Sequence, residues 1–298
     1  MNTPIKYDEL VQLCKVPTDR TINLKKDFDP SYKVDDVTKD DAEALLTQTI
    51  TKMAELQDKL YAQNTYALLL IFQALDAAGK DGTIKHVMSG INPEGCEVHS
   101  FKGPSTEELH HDYLWRCAKV VPERGRIGIF NRSYYEEVLV VRVHPEFLES
   151  QQLPAIAKQD IWKKRFKQIN NFEEYLVDNG IVVLKFFLNL SKEEQKKRFL
   201  ERINEPEKNW KFSANDVKER DFWDEYMGAF EDLFNHTSTE WAPWYVIPAD
   251  HKWFTHLAVS SIICHTLESL NLQYPTISDA QKQELLQAKQ KLEGDRAK

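Results

Sequence analysis

The sequence predicts an α/β protein in which helices cover both faces of a mainly parallel, five-stranded sheet, in three αβα layers. Apolar runs of strand length alternate with segments of helical periodicity along the whole chain. The apolar run 181–188 is typical of a strand that is buried on both faces of a parallel sheet. The run 67–72 leads through a glycine-lysine loop into a helix, and this order is typical of a phosphate-binding loop.

Composition limits the function classes. A chain of 298 residues with 42% hydrophobic content suits one large domain with a full core. The net charge of −8 argues against a general nucleic-acid binder. Four scattered cysteines without C-x-x-C spacing favour reduced thiols over a zinc site or disulfides. Apolar runs too short for a bilayer, and an N-terminus without a signal-peptide core, predict a cytoplasmic protein without a membrane partner.

In chain order, residues 1–38 are polar and contain three prolines, and we expect an irregular arm over the surface. Apolar spacing predicts a helix over 40–62 that covers one face of the sheet. The strands are predicted at 67–72, 97–101, 126–130, 181–188 and 244–247. Further helices are predicted at 105–117, 134–144, 158–178, 192–203, 213–234, from 250 to 270, and at 278–298.

Serines followed three residues later by glutamates, at Ser105 and Ser191, form candidate capping boxes. A basic cluster that includes Arg165 opens the helix at 158–178, and a solvated helix face explains it equally well. The two helices and the basic loop over about 192–235 have the pattern of a lid. We therefore divide the chain into an arm (1–38), a core domain with this lid (39–274) and a C-terminal polar helix (275–298).

The loop after the first strand is the strongest chemical signal. Its backbone N–H groups and the following helix N-terminus favour an anion, and Lys80 adds a mobile positive charge. The match to G-x-x-x-x-G-K-[ST] is imperfect, because Ala74 replaces the first glycine and Asp81 replaces the metal-binding hydroxyl residue. Asp76 would repel phosphate unless a cation lies between them. A simple strand–helix turn with a surface lysine is the alternative.

Two further positions could serve phosphate chemistry. Asn131 and Arg132 end the third strand, at the edge where open α/β sheets bind ligands. P-loop proteins often place a metal-binding acid where this chain has Asn131. Arg198 and Arg202 are four residues apart on one helix face and could neutralise phosphate charge. Solvent-facing arginines that pair with neighbouring glutamates are the alternative.

Three stretches together resemble the polyphosphate kinase 2 family. Residues 74–82 (Ala-Leu-Asp-Ala-Ala-Gly-Lys-Asp-Gly) resemble its Walker A loop, 129–138 its Walker B region, and 241–250 its final strand. The resemblance covers roughly residues 20–270 and implies a P-loop kinase-like core with a helical lid. It implies transfer of phosphoryl groups between inorganic polyphosphate and nucleotides with Mg²⁺. The Asn-Arg-Ser-x-Tyr-Glu form at Asn131 resembles class III, which implies AMP and ADP as acceptors.

The resemblance also implies roles for single residues. Asp76 would be catalytic and would bind the metal (Mg²⁺, with Mn²⁺ as an alternative), and Lys80 and Arg132 would be catalytic. The residues that bind phosphate or polyphosphate would be Ala78, Gly79, Lys80, Asp81, Gly82, Thr83, Lys85, Arg198, Arg202, Lys208 and Lys211. The residues on the nucleotide side would be Asn131, Arg132, Glu136 and Glu137, with a solvated helix N-terminus as the alternative for the two glutamates.

Two other functions stay open at this point. An ATP-dependent nucleoside monophosphate kinase of the thymidylate-kinase type would have the same fold. A non-catalytic nucleotide-binding module with a degenerate loop belongs to a different class. The expected partners are inorganic polyphosphate and adenine nucleotides, and the resemblance implies a homo-oligomer, either a dimer or a tetramer.

Overall fold

A parallel sheet of five strands forms the centre of the computed structural model, which describes residues 7–34 and 37–294. The strands are β1 Ala67–Gln73, β2 Cys96–Ser100, β3 Ile127–Asn131, β4 Ile181–Asn189 and β5 Trp244–Pro248. They lie in the order β2-β3-β1-β4-β5, and every neighbouring pair is parallel. The five predicted strands are confirmed, each within about one residue of its predicted bounds.

Helices of very different length surround the sheet. The α-helices of the described residues are α1 Tyr7–Cys14, α2 Leu24–Asp27, α3 Lys39–Gln63, α4 Lys80–Val87, α5 Thr106–Leu109, α6 Trp115–Ala118, α7 Val140–Val143, α8 Glu146–Ser150, α9 Ala155–Lys158, α10 Ile161–Asp178, α11 Lys192–Asn204, α12 Ala214–Glu219, α13 Trp223–Thr237, α14 Lys252–Ser269 and α15 Asp279–Gly294. Short 3₁₀ helices lie at Pro93–Gly95, Tyr134–Val138, Pro206–Lys211 and Arg220–Phe222.

The central strand β1 shows why the protein has three layers. Every residue of β1 is buried, and successive side chains point to opposite faces of the sheet. Leu68, Leu70 and Phe72 enter a core with α1, α3 and α14. Leu69 and Ile71 enter a second core with α10 and α13. The uniformly apolar run therefore serves two cores at once, as a parallel sheet with helices on both faces requires.

The prediction of an irregular N-terminal arm is wrong for Tyr7–Cys14 and Leu24–Asp27, which are helical, whereas residues 16–23 and 28–34 are irregular. Helix α1 buries Leu10, Val11 and Cys14 in the core beside α14. Lys15 then forms an isolated β-bridge with Tyr245 of β5. The prolines suggested irregular structure, whereas the helical spacing of these three apolar residues decided the packing. Residues 1–6 and 35–36 of the predicted arm lie outside the described residues, and the division into 1–38, 39–274 and 275–298 stays a prediction.

The prediction of one helix over 134–144 is also wrong. A 3₁₀ helix covers Tyr134–Val138, and α7 follows only after Leu139, whose φ is −113° and ψ −84°. The Oγ atom of Ser133 accepts a hydrogen bond from the Tyr135 N–H at 3.1 Å, which starts the 3₁₀ turn. Both tyrosine hydroxyls bond a buried glutamate, so tertiary contacts overrule the helical spacing.

Other predicted helices exist with different bounds. The helix at 40–62 is confirmed as α3, while the segment 213–234 divides into α12, a 3₁₀ turn and α13. The segment 105–117 likewise divides into α5 and α6, and α5 begins with the predicted capping box. The predicted C-terminal helix is present as α15, and its last residues, 295–298, lie outside the described residues. Across residues 7–34 and 37–294, none of the helices is long and apolar enough to cross a membrane.

Candidate functional site

Residues 74–82 comprise the loop after β1 and the start of α4, and we call this segment the phosphate loop. It turns sharply at two residues in the left-handed region. Ala77 has a φ of 64° and Gly79 a φ of 101°. Gly79 is the N-cap of α4 and has no side chain that could occupy the first N–H groups of the helix. These N–H groups and the helix dipole favour an anion at this end of α4. The loop therefore has the backbone geometry of an anion site.

Lys80 lies across the phosphate loop. Its Nζ atom donates a hydrogen bond to the carbonyl oxygen of Ala74 at 2.9 Å. Burial, and secondly the nearby Arg132 guanidinium, lower the pKa of Lys80 to about 8. The ammonium group is therefore protonated at neutral pH in surroundings that solvate it poorly. Such a cation gains more from a phosphate oxygen than a fully hydrated lysine does.

The end of β3 brings Arg132 to the phosphate loop. Its backbone N–H donates to the Phe72 carbonyl at 3.0 Å, and its φ of 63° turns the chain away from the sheet. The Nη2 atom lies 3.0 Å from Asp76 Oδ1, and the Nη1 atom 3.3 Å from Glu136 Oε2. The negative charge of Glu136 makes the largest contribution to raising the pKa of Arg132. Burial opposes this rise, and Asp76 adds to it. Because β1 and β3 are neighbours, their carboxyl ends join Asp76 and Arg132 directly.

Asn131 contacts the loop through Asp81. The Asn131 Nδ2 atom donates to Asp81 Oδ1 at 2.6 Å. A carboxylate in place of Asn131 would face the Asp81 carboxylate at this distance and would repel it. Within residues 7–34 and 37–294, no group of three or more His, Cys, Asp or Glu side chains could hold a metal ion. A cation at Asp76 would therefore take most of its ligands from substrate and water.

Two cavities meet at this junction. The first, which we call the cationic cavity, has a volume of about 720 Å³. Of the described residues that line it, eight are Lys or Arg and three are Asp or Glu. Its cationic residues are Lys80, Lys102, Arg132, Arg198, Arg202, Lys208, Lys211 and Lys252. The phosphate loop forms its floor, and the segment from α11 to Lys211 forms one wall.

The second, which we call the acidic cavity, has a volume of about 610 Å³. Within the described part of the chain, seven Asp or Glu residues and three Lys or Arg residues line it. Its acidic residues are Asp76, Glu108, Asp112, Glu136, Glu137, Asp216 and Glu219. The two cavities share Asp76, Arg132 and the segment 101–103. A molecule in one cavity can therefore reach a molecule in the other beside Asp76 and Arg132.

The structure brings most of the predicted phosphate-binding residues together. Of the predicted set, the described structure places Ala78, Gly79, Lys80, Asp81, Gly82, Thr83, Arg198, Arg202, Lys208 and Lys211 around the cationic cavity, together with Asp76, Asn131 and Arg132. Lys85 is exposed on α4 and does not line this cavity. Sequence spacing along α4 did not show which lysine faces the loop.

The two predicted nucleotide-side glutamates differ. Glu136 is partly exposed and pairs with Arg132 in the acidic cavity. Glu137 is buried, and its carboxylate accepts hydrogen bonds from Arg165 Nε at 2.9 Å and from Gln151 Nε2 at 2.8 Å. Burial raises the pKa of Glu137, while Arg165 opposes that rise. The alternative of a solvated helix N-terminus is therefore wrong for Glu137. The alternative of a solvated helix face is wrong for Arg165, because this side chain is only 9% exposed.

Arg198 and Arg202, both on α11, also differ in depth. Arg202 Nη1 lies 3.4 Å from Asp216 Oδ2 at the edge of the cationic cavity. Arg198 is only 5% exposed and its Nε lies 3.0 Å from Glu194 Oε1. The predicted pairing of Arg198 with a nearby glutamate is confirmed, whereas its predicted exposure to solvent is wrong. The equal helix spacing of the two arginines did not show this difference in depth.

Sequence reasoning missed several residues of the site. Lys252, Thr255 and His256 of α14 line the cationic cavity, directly after the end of β5. The rule that ligands bind at the carboxyl ends of parallel strands could have found them. Asp216 at the start of α12 lines the acidic cavity, and burial first, followed by Asp76, raises its pKa. Only the packing of α12 against the rest of the protein shows that Asp216 lies near Asp76.

Comparison with known proteins agrees with this geometry. A family model described as Polyphosphate kinase 2 (PPK2) matches residues 36–275. The chain belongs to the polyphosphate kinase 2 family. A relative from Rhodopseudomonas palustris, named ADP-polyphosphate phosphotransferase, is 52% identical over 286 residues, 95% of each chain. A Meiothermus ruber relative, named AMP/ADP-polyphosphate phosphotransferase, is 47% identical over 75% of this chain and 80% of its own.

A solved structure gives the same result for the fold of this polyphosphate kinase 2 chain. The crystal structure of Polyphosphate Kinase 2 from Arthrobacter aurescens TC1 matches it with a TM-score of 0.83 and 38% identity. The match covers 96% of this chain and 98% of that structure. The family and the P-loop kinase-like α/β fold that the loop motifs implied are confirmed.

Proposed function

We propose that this protein transfers the terminal phosphoryl group of inorganic polyphosphate to AMP and to ADP, reversibly. One observation carries the proposal: a cationic and an acidic cavity meet at Asp76 and Arg132, so a donor and an acceptor of different chemistry can face each other there. The names of two relatives support the choice of substrates, since one names ADP and the other AMP and ADP. The Asn131 form of the Walker B region supports acceptance of the monophosphate.

Polyphosphate occupies the cationic cavity in this proposal. Its volume of about 720 Å³ and its excess of Lys and Arg suit an extended polyanion. Lys80 and the N–H groups of the phosphate loop bind the terminal phosphates, while Arg202, Lys208 and Lys211 bind phosphates farther along the chain. Several cations act together on one polyanion, so polyphosphate binding should weaken steeply as salt is added.

The nucleotide occupies the acidic cavity. Its phosphate lies toward Arg132, and Lys102 and Arg116 are the other cations on this side. Carboxylates such as Glu136 accept hydrogen bonds from ribose hydroxyls and from the amino group of the base. Buried Glu137 holds Arg165 and Gln151 in place behind this wall. An acidic lining also disfavours the binding of a second polyphosphate chain on the acceptor side.

The chemistry needs positioning and positive charge more than it needs a protein nucleophile. An oxygen of the acceptor phosphate attacks the terminal phosphorus atom of polyphosphate, and the bond from that phosphorus to the bridging oxygen breaks. Lys80 and Arg132 neutralise the charge on the transferred group, since both converge on the junction of the cavities. The shortened polyphosphate keeps the electron pair of the broken bond and remains in the cationic cavity.

Asp76 is the residue that would hold Mg²⁺. Its carboxylate is 30% exposed and borders both cavities, and Asp216 lies across the acidic one. One or two carboxylates, with phosphate oxygens and waters as the other ligands, suit Mg²⁺, and Mn²⁺ accepts the same oxygen donors. When bound, the metal would neutralise charge on the phosphates.

A coupled assay tests the proposal. AMP or ADP is incubated with Mg²⁺ and with either polyphosphate or ATP as donor, and nucleotide products are separated by chromatography. We expect ADP and ATP to form with polyphosphate. If ATP supports the formation of ADP from AMP and polyphosphate does not, the protein is an ATP-dependent nucleotide kinase. If nucleotides bind without turnover, the protein is a non-catalytic module.

Three further expectations from the sequence stay predictions. They are a cytoplasmic location, a dimeric or tetrameric assembly, and motion of the segment at about 192–235 as a lid. Light scattering on the purified protein measures the assembly.

A further inference from the structure

Helix α11 holds three consecutive carbonyl groups of the phosphate loop. Gln195 Nε2 donates to the Asp76 carbonyl at 2.9 Å. Arg198 Nη1 donates to the carbonyls of Ala77 at 3.2 Å and of Ala78 at 3.1 Å. Gln195 and Arg198 are three residues apart and are both buried, so they present one helix face to the loop.

The other nitrogen atoms of Arg198 are also occupied. Its Nη2 donates to the carbonyls of Ala249 at 2.7 Å and of Asp250 at 3.2 Å, directly after β5. Its Nε donates to Glu194 Oε1 at 3.0 Å. A guanidinium has five N–H groups in a fixed planar arrangement, and these five bonds use all of them. A phosphate oxygen could bond Arg198 only by displacing a bond that already exists.

We propose that Arg198 is a positioning residue that fixes the phosphate loop and the end of β5 through their carbonyls, and that it does not bind polyphosphate. In a trans peptide the C=O and N–H groups point in opposite directions. A carbonyl of Ala78 that is held toward Arg198 therefore turns the Gly79 N–H away from Arg198. The same bonds hold Ala77 at its positive φ of 64°, which a residue with a Cβ atom adopts at a cost.

This role separates two parts of the predicted lid. Gln195 and Arg198 fix the first half of α11 to the loop, while Arg202, Lys208 and Lys211 lie beyond the fixed part. Any closure over polyphosphate therefore begins after Arg198. The inference rests on the proposed function only for what the cationic cavity binds, because the contacts of Arg198 involve the protein alone.

A matched pair of variants tests the proposal, since Arg198 and Arg202 lie one helical turn apart. Lysine keeps the positive charge and binds phosphate well, but it lacks the planar arrangement that reaches four carbonyls. We expect Arg198→Lys to lower kcat at least about tenfold, because Arg198 needs the planar group, whereas Arg202→Lys should act mainly on the KM for polyphosphate. A kcat near the wild-type value for Arg198→Lys would overturn the proposal.

Salt dependence gives a second readout. For nucleic acids, each lost phosphate contact reduces the slope of log K against log salt concentration by about 0.7 to 0.9, and we expect the same direction of change for polyphosphate. We expect Arg202→Gln to reduce this slope for polyphosphate binding and Arg198→Gln to leave it unchanged. A reduced slope for Arg198→Gln would show that Arg198 contacts polyphosphate. If Arg198→Gln does not fold, the Arg198→Lys variant still decides the question through the next measurement.

Hydrogen exchange measures the loop without any substrate. We expect the amides of Ala78 and Thr83, which donate to the carbonyls of Leu75 and Gly79, to exchange faster in Arg198→Lys than in the wild-type protein, with the amides of β1 and β4 unchanged. Unchanged exchange in the loop would overturn the proposal. Failure of the proposed function would instead appear as a wild-type protein that neither binds nor uses polyphosphate, so the two failures are distinct.

Discussion

The cationic and the acidic cavities are similar in size and opposite in charge. They measure about 720 and 610 Å³, and in the described structure Lys and Arg outnumber Asp and Glu in one, while the reverse holds in the other. The net charge of −8 for the whole chain does not show the local charge of either cavity. In the proposed function a long polyanion and a nucleotide stay apart until they meet, and local charge would provide this separation within an acidic chain.

The walls of the two cavities are anchored differently. Behind the acidic cavity, Lys185 Nζ and Glu173 Oε2 lie 2.6 Å apart, and both side chains are fully buried. The hydroxyls of Tyr134 and Tyr135 each donate to Glu173 Oε1 at 2.8 Å. This network fixes the 3₁₀ segment that carries Glu136. In the wall of the cationic cavity, Arg198 is buried but Glu201, Arg202, Lys208 and Lys211 are partly or fully exposed, so the comparison predicts one rigid and one adaptable side.

The largest expected effect concerns this rigidity. Lys185→Met leaves the Glu173 carboxylate buried without its cation, which should lower the free energy of unfolding by about 3 to 5 kcal/mol. Urea denaturation measures the loss. The double variant Lys185→Met with Glu173→Leu removes both charges and should recover much of it. A loss below about 1 kcal/mol for the single variant would contradict an anchoring role for the pair.

The next effect concerns the junction that both cavities share. Lys80→Met should lower kcat by about 10²- to 10³-fold, because it removes a poorly hydrated cation from the transferred phosphoryl group. Lys85→Met is the matched control, since Lys85 lies on the same helix outside the cavity. Steady-state kinetics with polyphosphate and ADP measure both. Equal losses in the two variants would remove the assignment of Lys80.

A crossed pair of variants compares the cavities directly. Arg202→Gln should raise the KM for polyphosphate about tenfold and leave the KM for ADP nearly unchanged, because a charged hydrogen bond is lost on one side only. Glu136→Gln should do the reverse. The two KM values of each variant are measured with the other substrate saturating. Parallel changes in both KM values would show that the cavities do not bind separate substrates.

The smallest expected effect is a shift with pH. Because the pKa of Lys80 is lowered to about 8, this side chain is protonated below that pH and neutral above it. The kcat/KM for polyphosphate should therefore fall as the pH rises through about 8. Bound polyphosphate favours the protonated form, so kcat should fall only at higher pH. The profile of Lys80→Arg should lack the fall near pH 8, and its persistence there would assign the fall to another group.

The sequence by itself determined the sheet and the place of the site. Apolar runs predicted β1, β3, β4 and β5, because a strand that is buried on both faces needs apolar residues at successive positions. Strand β2 is of mixed polarity and largely exposed at the edge of the sheet. The rule for carboxyl ends of parallel strands placed Asp76 and Arg132 at the ligand-binding edge of the sheet, whereas their direct contact depends on β1 and β3 being neighbours. The motifs at 74–82, 129–138 and 241–250 together predicted the polyphosphate kinase 2 family.

Only the tertiary structure decided which atoms lie opposite one another. Helical spacing places Arg198 and Arg202 on one face, but their depths depend on how closely α11 approaches the phosphate loop. The same holds for Glu137, whose partner Arg165 comes from α10. Spacing along a chain fixes directions within one element, whereas burial and hydrogen-bond partners depend on the distance between elements. Packing therefore directs Arg198 to the loop carbonyls and leaves Arg202 partly exposed at the cationic cavity.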